Sequence, residues 1–138
     1  MTNENYKYSD ITEKIIGCAL KVHNYLGNGF QEVIYQRALA IEFDEAKLDF
    51  AREDEMPIIY KTHDIGTRRV DFFVENKILV EIKAITKLDN VHLAQAINYL
   101  EAFDKAFDKE VGLLINFGSN SMEFKRVQNK KILAISKS

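Results

Sequence analysis

Arg69-Val70-Asp71-Phe72-Phe73-Val74-Glu75-Asn76-Lys77-Ile78-Leu79-Val80-Glu81-Ile82-Lys83-Ala84 reads as two β-strands joined by a turn. Two runs of β-branched and aromatic residues flank the polar trio Glu75-Asn76-Lys77. Successive side chains of a strand alternate between faces, so Ile78, Val80, Ile82 and Ala84 share one face and Leu79, Glu81 and Lys83 the other. Glu81 and Lys83 therefore point the same way. With Glu75-Asn76-Lys77 as the whole loop, Asp71 falls directly opposite Glu81, with Cβ atoms roughly 5 Å apart. A loop shorter by one residue would send Asp71 to the opposite face, so the register of this hairpin decides whether the charged residues meet.

Working outward, runs at 48–54 and 56–62 continue the strand pattern, giving four consecutive antiparallel strands with 69–75 and 77–84. The acidic cluster Glu53-Asp54-Glu55 between the first two reads as a solvated turn. Upstream, Asp10 and Glu13 have capping-box spacing, and Ile11, Ile15, Cys18, Val22 and Leu26 recur at helical spacing, which predicts a helix over 10–26. Gly27-Asn28-Gly29 breaks it, and a second helix over about 31–47 follows, using Val33, Ile34, Ala38, Ile41 and Phe43. Downstream, a third helix begins near Asp89, buries Leu93, Ala96, Ile97, Leu100 and Phe103, and ends before Glu110. Val111 to Phe117 is then a fully buried strand, parallel to its neighbour because a helix leads into it. Residues 121–127 form an amphipathic edge strand. The order ααββββαββ places the chain in the α/β class, a mixed β-sheet flanked by helices.

Composition narrows the class without fixing it. At 138 residues, 46% hydrophobic and 29% charged, with no repeat, no low-complexity tract and one proline (Pro57), the chain reads as a single domain over 1–138. One cysteine cannot close an internal disulfide, and Met1 leads into polar residues with no apolar run of signal-peptide or membrane-span length. Both point to a cytoplasmic protein with no membrane association. The net charge of −2 does not mark a polyanion binder, although Arg68 with Arg69, and Lys125, Arg126, Lys130 and Lys131, concentrate positive charge locally.

Two carboxylates brought as close as Asp71 and Glu81 repel each other unless something positive sits between them. A hard divalent cation, Mg²⁺ or Mn²⁺, takes oxygen ligands in such an arrangement. The ammonium of Lys83 beside them would hold and polarise a water molecule. Together these are the requirements of phosphodiester hydrolysis: a cation to neutralise the phosphate, an activated water, and charge stabilisation for the leaving oxygen. An isolated Glu-x-Lys is also what any half-exposed strand displays, so the pattern gains its meaning from context.

That context is a resemblance. Gly29-x-x-Glu32-x-x-Tyr35, Val80-Glu81-Ile82-Lys83-Ala84, Ala94-Gln95-Ala96-Ile97-Asn98-Tyr99-Leu100 and Gly112-Leu113-Leu114-Ile115-Asn116-Phe117-Gly118 occur in order. From about Ile11 to Gly118 the chain closely resembles the GxxExxY family, a branch of the PD-(D/E)XK nuclease superfamily. The resemblance implies a restriction-endonuclease-like core, a Mg²⁺- or Mn²⁺-dependent nuclease activity, and a nucleic-acid substrate, DNA ahead of RNA. It implies Asp71 and Glu81 as metal ligands, Lys83 as the residue positioning the attacking water, and Glu32 as an additional acidic residue reaching the metal directly or through water. Val70 stands where the superfamily name has proline, a position that contributes no catalytic group.

The resemblance implies that Gln95 and Tyr99, one helical turn apart, lie beside the active site as substrate contacts, with simple helix packing the equal alternative for Tyr99, and Arg68 and Arg69 are expected as phosphate contacts. Tyr35 is expected to pack. His23, His63 and His92 lack ligand spacing, so zinc is not expected. The competing reading is a nuclease-like module that binds nucleic acid or a protein without cutting, or a regulatory domain within a larger complex. A homodimer is one arrangement open to the chain, since two small domains can cover a duplex, and the sequence leaves the oligomeric state open.

Overall fold

The computed structural model describes residues 7–107 and 111–128, without the side chains of Asp54, Tyr99 and 101–107. The element order is α1 (Ser9–Leu26), α2 (Glu32–Glu45), β1 (Phe50–Tyr60), β2 (His63–Val74), β3 (Ile78–Lys83), α3 (Asn90–Phe107), β4 (Val111–Asn116) and β5 (Glu123–Gln128). Among the described residues the strands form one sheet in the order β1-β2-β3-β4-β5. β3 and β4 run parallel through the α3 crossover, and every other neighbouring pair is antiparallel. No described helix is long and apolar enough to cross a membrane.

The sheet separates two cores. On one face Ile15, Cys18 and Val22 of α1 and Tyr35, Leu39 and Phe43 of α2 pack on Phe72, Val80, Ile82, Leu113 and Ile115. On the other, Ala96 and Leu100 of α3 meet Met56, Val70, Phe73, Leu79 and Val127. Gly112 lets α3 approach β4 closely, since a Cβ there would stand 2.9 Å from Val127 and 3.2 Å from Leu100. β3 is sandwiched between both layers, which is why Ile78 to Ile82 is buried throughout.

Several expectations are corrected. The capping box of Asp10 and Glu13 does not form: α1 starts at Ser9 behind Tyr8 in a left-handed conformation, with no side-chain cap. Asp10 instead lies in the first turn, where its charge complements the helix dipole. α2 buries Tyr35, Gln36, Leu39, Ala40 and Phe43, while Val33, Ile34 and Ile41 are exposed. Apolar residues lie on all sides of this helix, and the face with the larger side chains, Tyr35, Leu39 and Phe43, turns inward.

The strands expected at 48–54 and 56–62 are one strand, β1, and its turn to β2 falls at Lys61-Thr62, both with positive φ. Glu53-Asp54-Glu55 is therefore not a turn but lies within β1. A local irregularity stands there instead. Glu53 has φ 53°, and it and Asp71 are left unpaired between the pairs Arg52↔Phe72 and Asp54↔Val70. Inward and outward faces slip at this point, since Phe72 packs toward α1 and α2 whereas Val70 and Phe73 both pack toward α3. Beyond it, β1 and β2 continue as a two-stranded arm, because β2 pairs with β3 only over Phe72–Val74.

Candidate active site

The β2–β3 hairpin has the register in which Asp71 faces Glu81. Its pairs are Val74↔Ile78, Phe73↔Leu79 and Phe72↔Val80, with Glu75-Asn76-Lys77 as the loop. Glu75 and Asn76 both have positive φ, and Glu75 is held there by its backbone and side-chain bonds to Asp49, each 2.7 Å. Past Phe72↔Val80 side chains replace the backbone ladder. Asp71 Oδ2 accepts the Ile82 N–H at 2.8 Å, and the Asp71 N–H reaches Glu81 Oε1 at 3.4 Å. The slip in alternation thus turns the Asp71 carboxylate edgewise toward β3.

Glu81 projects toward α3 into a shallow recess that it lines with Lys83, His92, Gln95, Ala96 and Leu114. Glu32, at the start of α2, bonds the backbone of Ala84 and is close enough to Asp71 and Lys83 to feel their charges. The strand end carrying Lys83 is fixed from behind. Phe117 N–H bonds Lys83 O at 2.9 Å, and the buried Asn116 side chain accepts from Ile85 and Gly118 while donating to Glu123. Gly118 must lack a side chain here, because a Cβ would stand 2.4 Å from the Ile85 backbone.

Three carboxyls are shifted upward together. Burial, then the neighbouring Asp71 charge, raises Glu81 to about 7, against the opposing pull of Arg68, the Asp71 N–H and Lys83. Burial raises Asp71 despite the Ile82 N–H and Gln36, and partial burial raises Glu32 despite Lys83. Burial, more than repulsion between the carboxylates, disfavours their charged forms here, a cost that a bound cation would offset.

The donor set fits a hard cation. Among the described residues no three Asp, Glu, His or Cys side chains are gathered tightly enough to form a ready cage, so Glu32, Asp71 and Glu81 do not assemble as three preformed ligands. Asp71 and Glu81, linked through the Asp71 N–H and close enough for their charges to interact, offer carboxylate oxygens, the donor type that suits Mg²⁺. This ion keeps several waters and needs only one or two protein carboxylates plus phosphate oxygens.

The two arginines part company. Arg68, beyond the slip, lies on the Glu81 side and pairs with its Oε2 at 3.1 Å. Arg69 pairs instead with Glu53 at 3.6 Å and takes no part in the recess. The Tyr99 side chain lies outside the described residues, as do Phe103, Lys130 and Lys131, while Gln95 lines the recess. Tyr35 packs as expected, stacked on Phe117 at 4.7 Å with its hydroxyl donating to Gly27 O at 2.6 Å. The sequence reading missed Gln36, which bonds Asp71, and His92, which shares the recess. The available signal was helical spacing: Gln36 is four residues after Glu32, and His92 three before Gln95.

A split β-hairpin carrying an aspartate, a facing Glu-x-Lys and a parallel β3–α3–β4 crossover defines an α/β protein with a restriction-endonuclease-like core. The chain belongs to the PD-(D/E)XK nuclease superfamily, whose family model matches residues 9–127. Neither the curated proteins nor the solved structures contain a match to the chain.

Proposed function

We propose that this chain is a divalent-metal-dependent nuclease of the GxxExxY branch, hydrolysing phosphodiester bonds in DNA with Mg²⁺ or Mn²⁺. The observation that carries this reading is Asp71 bonded to Glu81 and Ile82 where β2 and β3 part, with Lys83 beside Glu81 in the recess under α3, in a chain of a nuclease superfamily. Asp71 and Glu81 would hold the cation, with Glu32 adding negative charge from α2. When bound, the cation supplies Lewis acidity toward a phosphate oxygen and lowers the pKa of a water.

Lys83 donates a hydrogen bond to the attacking water and balances the negative charge that develops on the phosphoryl group. The water oxygen bonds to phosphorus as the ester P–O bond breaks, and the displaced oxygen leaves with a proton. Gln95, at the rim of the recess, is placed to donate to a neighbouring phosphate. Arg68 pairs with Glu81, and with a cation held there its guanidinium would be able to turn to the substrate backbone.

The test is incubation of the purified protein with single-stranded, double-stranded and branched DNA and RNA, in Mg²⁺, Mn²⁺ or chelator. Metal-dependent cleavage of DNA is expected. Retained binding without cleavage in either metal would favour a non-cutting module, and cleavage of RNA alone would change the substrate.

A further inference from the structure

We infer that Gln36 and Arg52 act in series as positioning residues for the Asp71 carboxylate, an inference that rests on the nuclease reading of the site. Gln36 lies on α2, one turn beyond Glu32, and is only 6% exposed. Its amide makes two bonds: Nε2 donates to Asp71 Oδ1 at 3.2 Å, and Oε1 accepts from Arg52 Nε at 3.3 Å. A guanidinium can only donate and an ionised carboxylate can only accept, so these two neighbours fix the amide in one orientation. Turned around, it would set oxygen against carboxylate and NH₂ against guanidinium, leaving two mismatches in a buried place.

Asp71 needs this support more than an ordinary strand residue. It falls at the irregularity opposite Glu53, where β1 supplies no backbone pairing to fix it. Its two oxygens are instead held by donors from different elements, Gln36 of α2 on Oδ1 and the Ile82 N–H of β3 on Oδ2. Each oxygen accepts one bond here and keeps capacity for another, which is what a metal ligand requires.

The neutral amide also matters. Arg52 is linked to Asp71 only through Gln36, whereas Arg68 contacts Glu81 directly, so Asp71 is oriented by a cation without being paired to it. Four elements, α2, β1, β2 and β3, thereby meet at one carboxylate.

The test compares the parent with Gln36→Leu, Arg52→Met, Arg52→Lys and the Gln36→Leu/Arg52→Met double variant. Mg²⁺ affinity is measured by calorimetry without substrate, and cleavage is followed on a duplex that the parent cuts. Gln36→Leu is expected to weaken Mg²⁺ binding and kcat by roughly 10–100-fold, the range for groups that orient metal ligands. KM for DNA should change little. Arg52→Met should lose less, the double variant should be no worse than Gln36→Leu alone, and Arg52→Lys, which restores a donor, should recover most of the loss.

Arg52 is exposed, so its variants keep the test sound should the buried Gln36 substitution fail to fold. Parent-like Mg²⁺ affinity in Gln36→Leu, or losses that multiply in the double variant, would overturn the relay while leaving the nuclease reading standing. A parent that neither binds Mg²⁺ nor cuts overturns both.

Discussion

Burial and the neighbouring Asp71 carboxylate hold Glu81 at about 7, while in the unfolded chain it titrates near 4.5. Between those values the folded state binds the proton more tightly. The stability this contributes is fully present below about 4.5 and is lost as pH rises through about 7. The difference corresponds to roughly 3 kcal/mol. Metal-free protein should therefore unfold at a lower temperature at pH 8 than at pH 5, and Glu81→Gln should flatten that profile. Identical profiles for parent and variant in chelator would show that Glu81 does not carry the effect. Lys83→Ala separates chemistry from metal binding: cleavage should fall by roughly two or more orders of magnitude. Calorimetric Mg²⁺ affinity should persist, and parent-like cutting would reduce Lys83 to a surface charge. At this scale the register that sets Asp71 against Glu81 was legible because loop length is a local property, and the shared face of Glu81 and Lys83 because β3 alternates regularly. Gln36, Arg52 and His92 were not, because each meets the site from another element and no spacing along one strand records it.

Elements set how well those side chains stay in place. The exits of β3 and β4 are clamped together by Asn116, by Glu123 and by the missing side chain of Gly118. Gly118→Ala drives a methyl into the Ile85 backbone, and overpacking of this kind costs about 1–3 kcal/mol or more. Chemical denaturation should register that loss, and cleavage should fall with it because Lys83 lies two residues before Ile85. Unchanged stability would mean the two exits can separate at little cost. The parallel β3–α3–β4 unit was readable from an uninterrupted apolar strand following a helical stripe. The α2 face was not, since apolar residues surround that helix and only tertiary packing chooses among them. Nor was the length of β1: three acidic residues in a row look like a turn, yet here Glu53 absorbs the left-handed conformation inside a strand.

For the whole molecule, the net charge of −2 leaves no broad positive field, and the two central arginines are already engaged with Glu81 and Glu53. Nucleic acid must compete for them, so binding should be weak in chelator, stronger with Mg²⁺, and steeply salt-dependent in both. In a Lys83→Ala background, Arg68→Ala should weaken duplex binding more with Mg²⁺ than without it, because a cation held by Glu81 would compete with the guanidinium for that carboxylate. Equal losses in the two conditions, read by fluorescence anisotropy across a salt series, would remove that exchange. The apolar tip of the β1–β2 arm, with Ile59, Tyr60 and Ile65 exposed, was hidden in the sequence by the misplaced turn.

The slip at Glu53 and Asp71 behaves like a dislocation in a crystal lattice. The stretches on either side turn opposite phases of the alternation toward the cores, and Asp71 lies on the fault, while the arm carries a separate bulge at Ile58/Ile59. The arm can accordingly be lengthened or shortened by matched residue pairs, or have its outward face rewritten, without changing the phase of Phe72, Phe73 and the strand they pair with. Whatever the arm touches can diversify while the carboxylates stay where they are. The position that must be preserved is the fault itself. Glu53→Gly, which adopts positive φ freely, should be tolerated within about 1 kcal/mol despite losing the Arg69 pair, whereas Glu53→Val should be clearly destabilising.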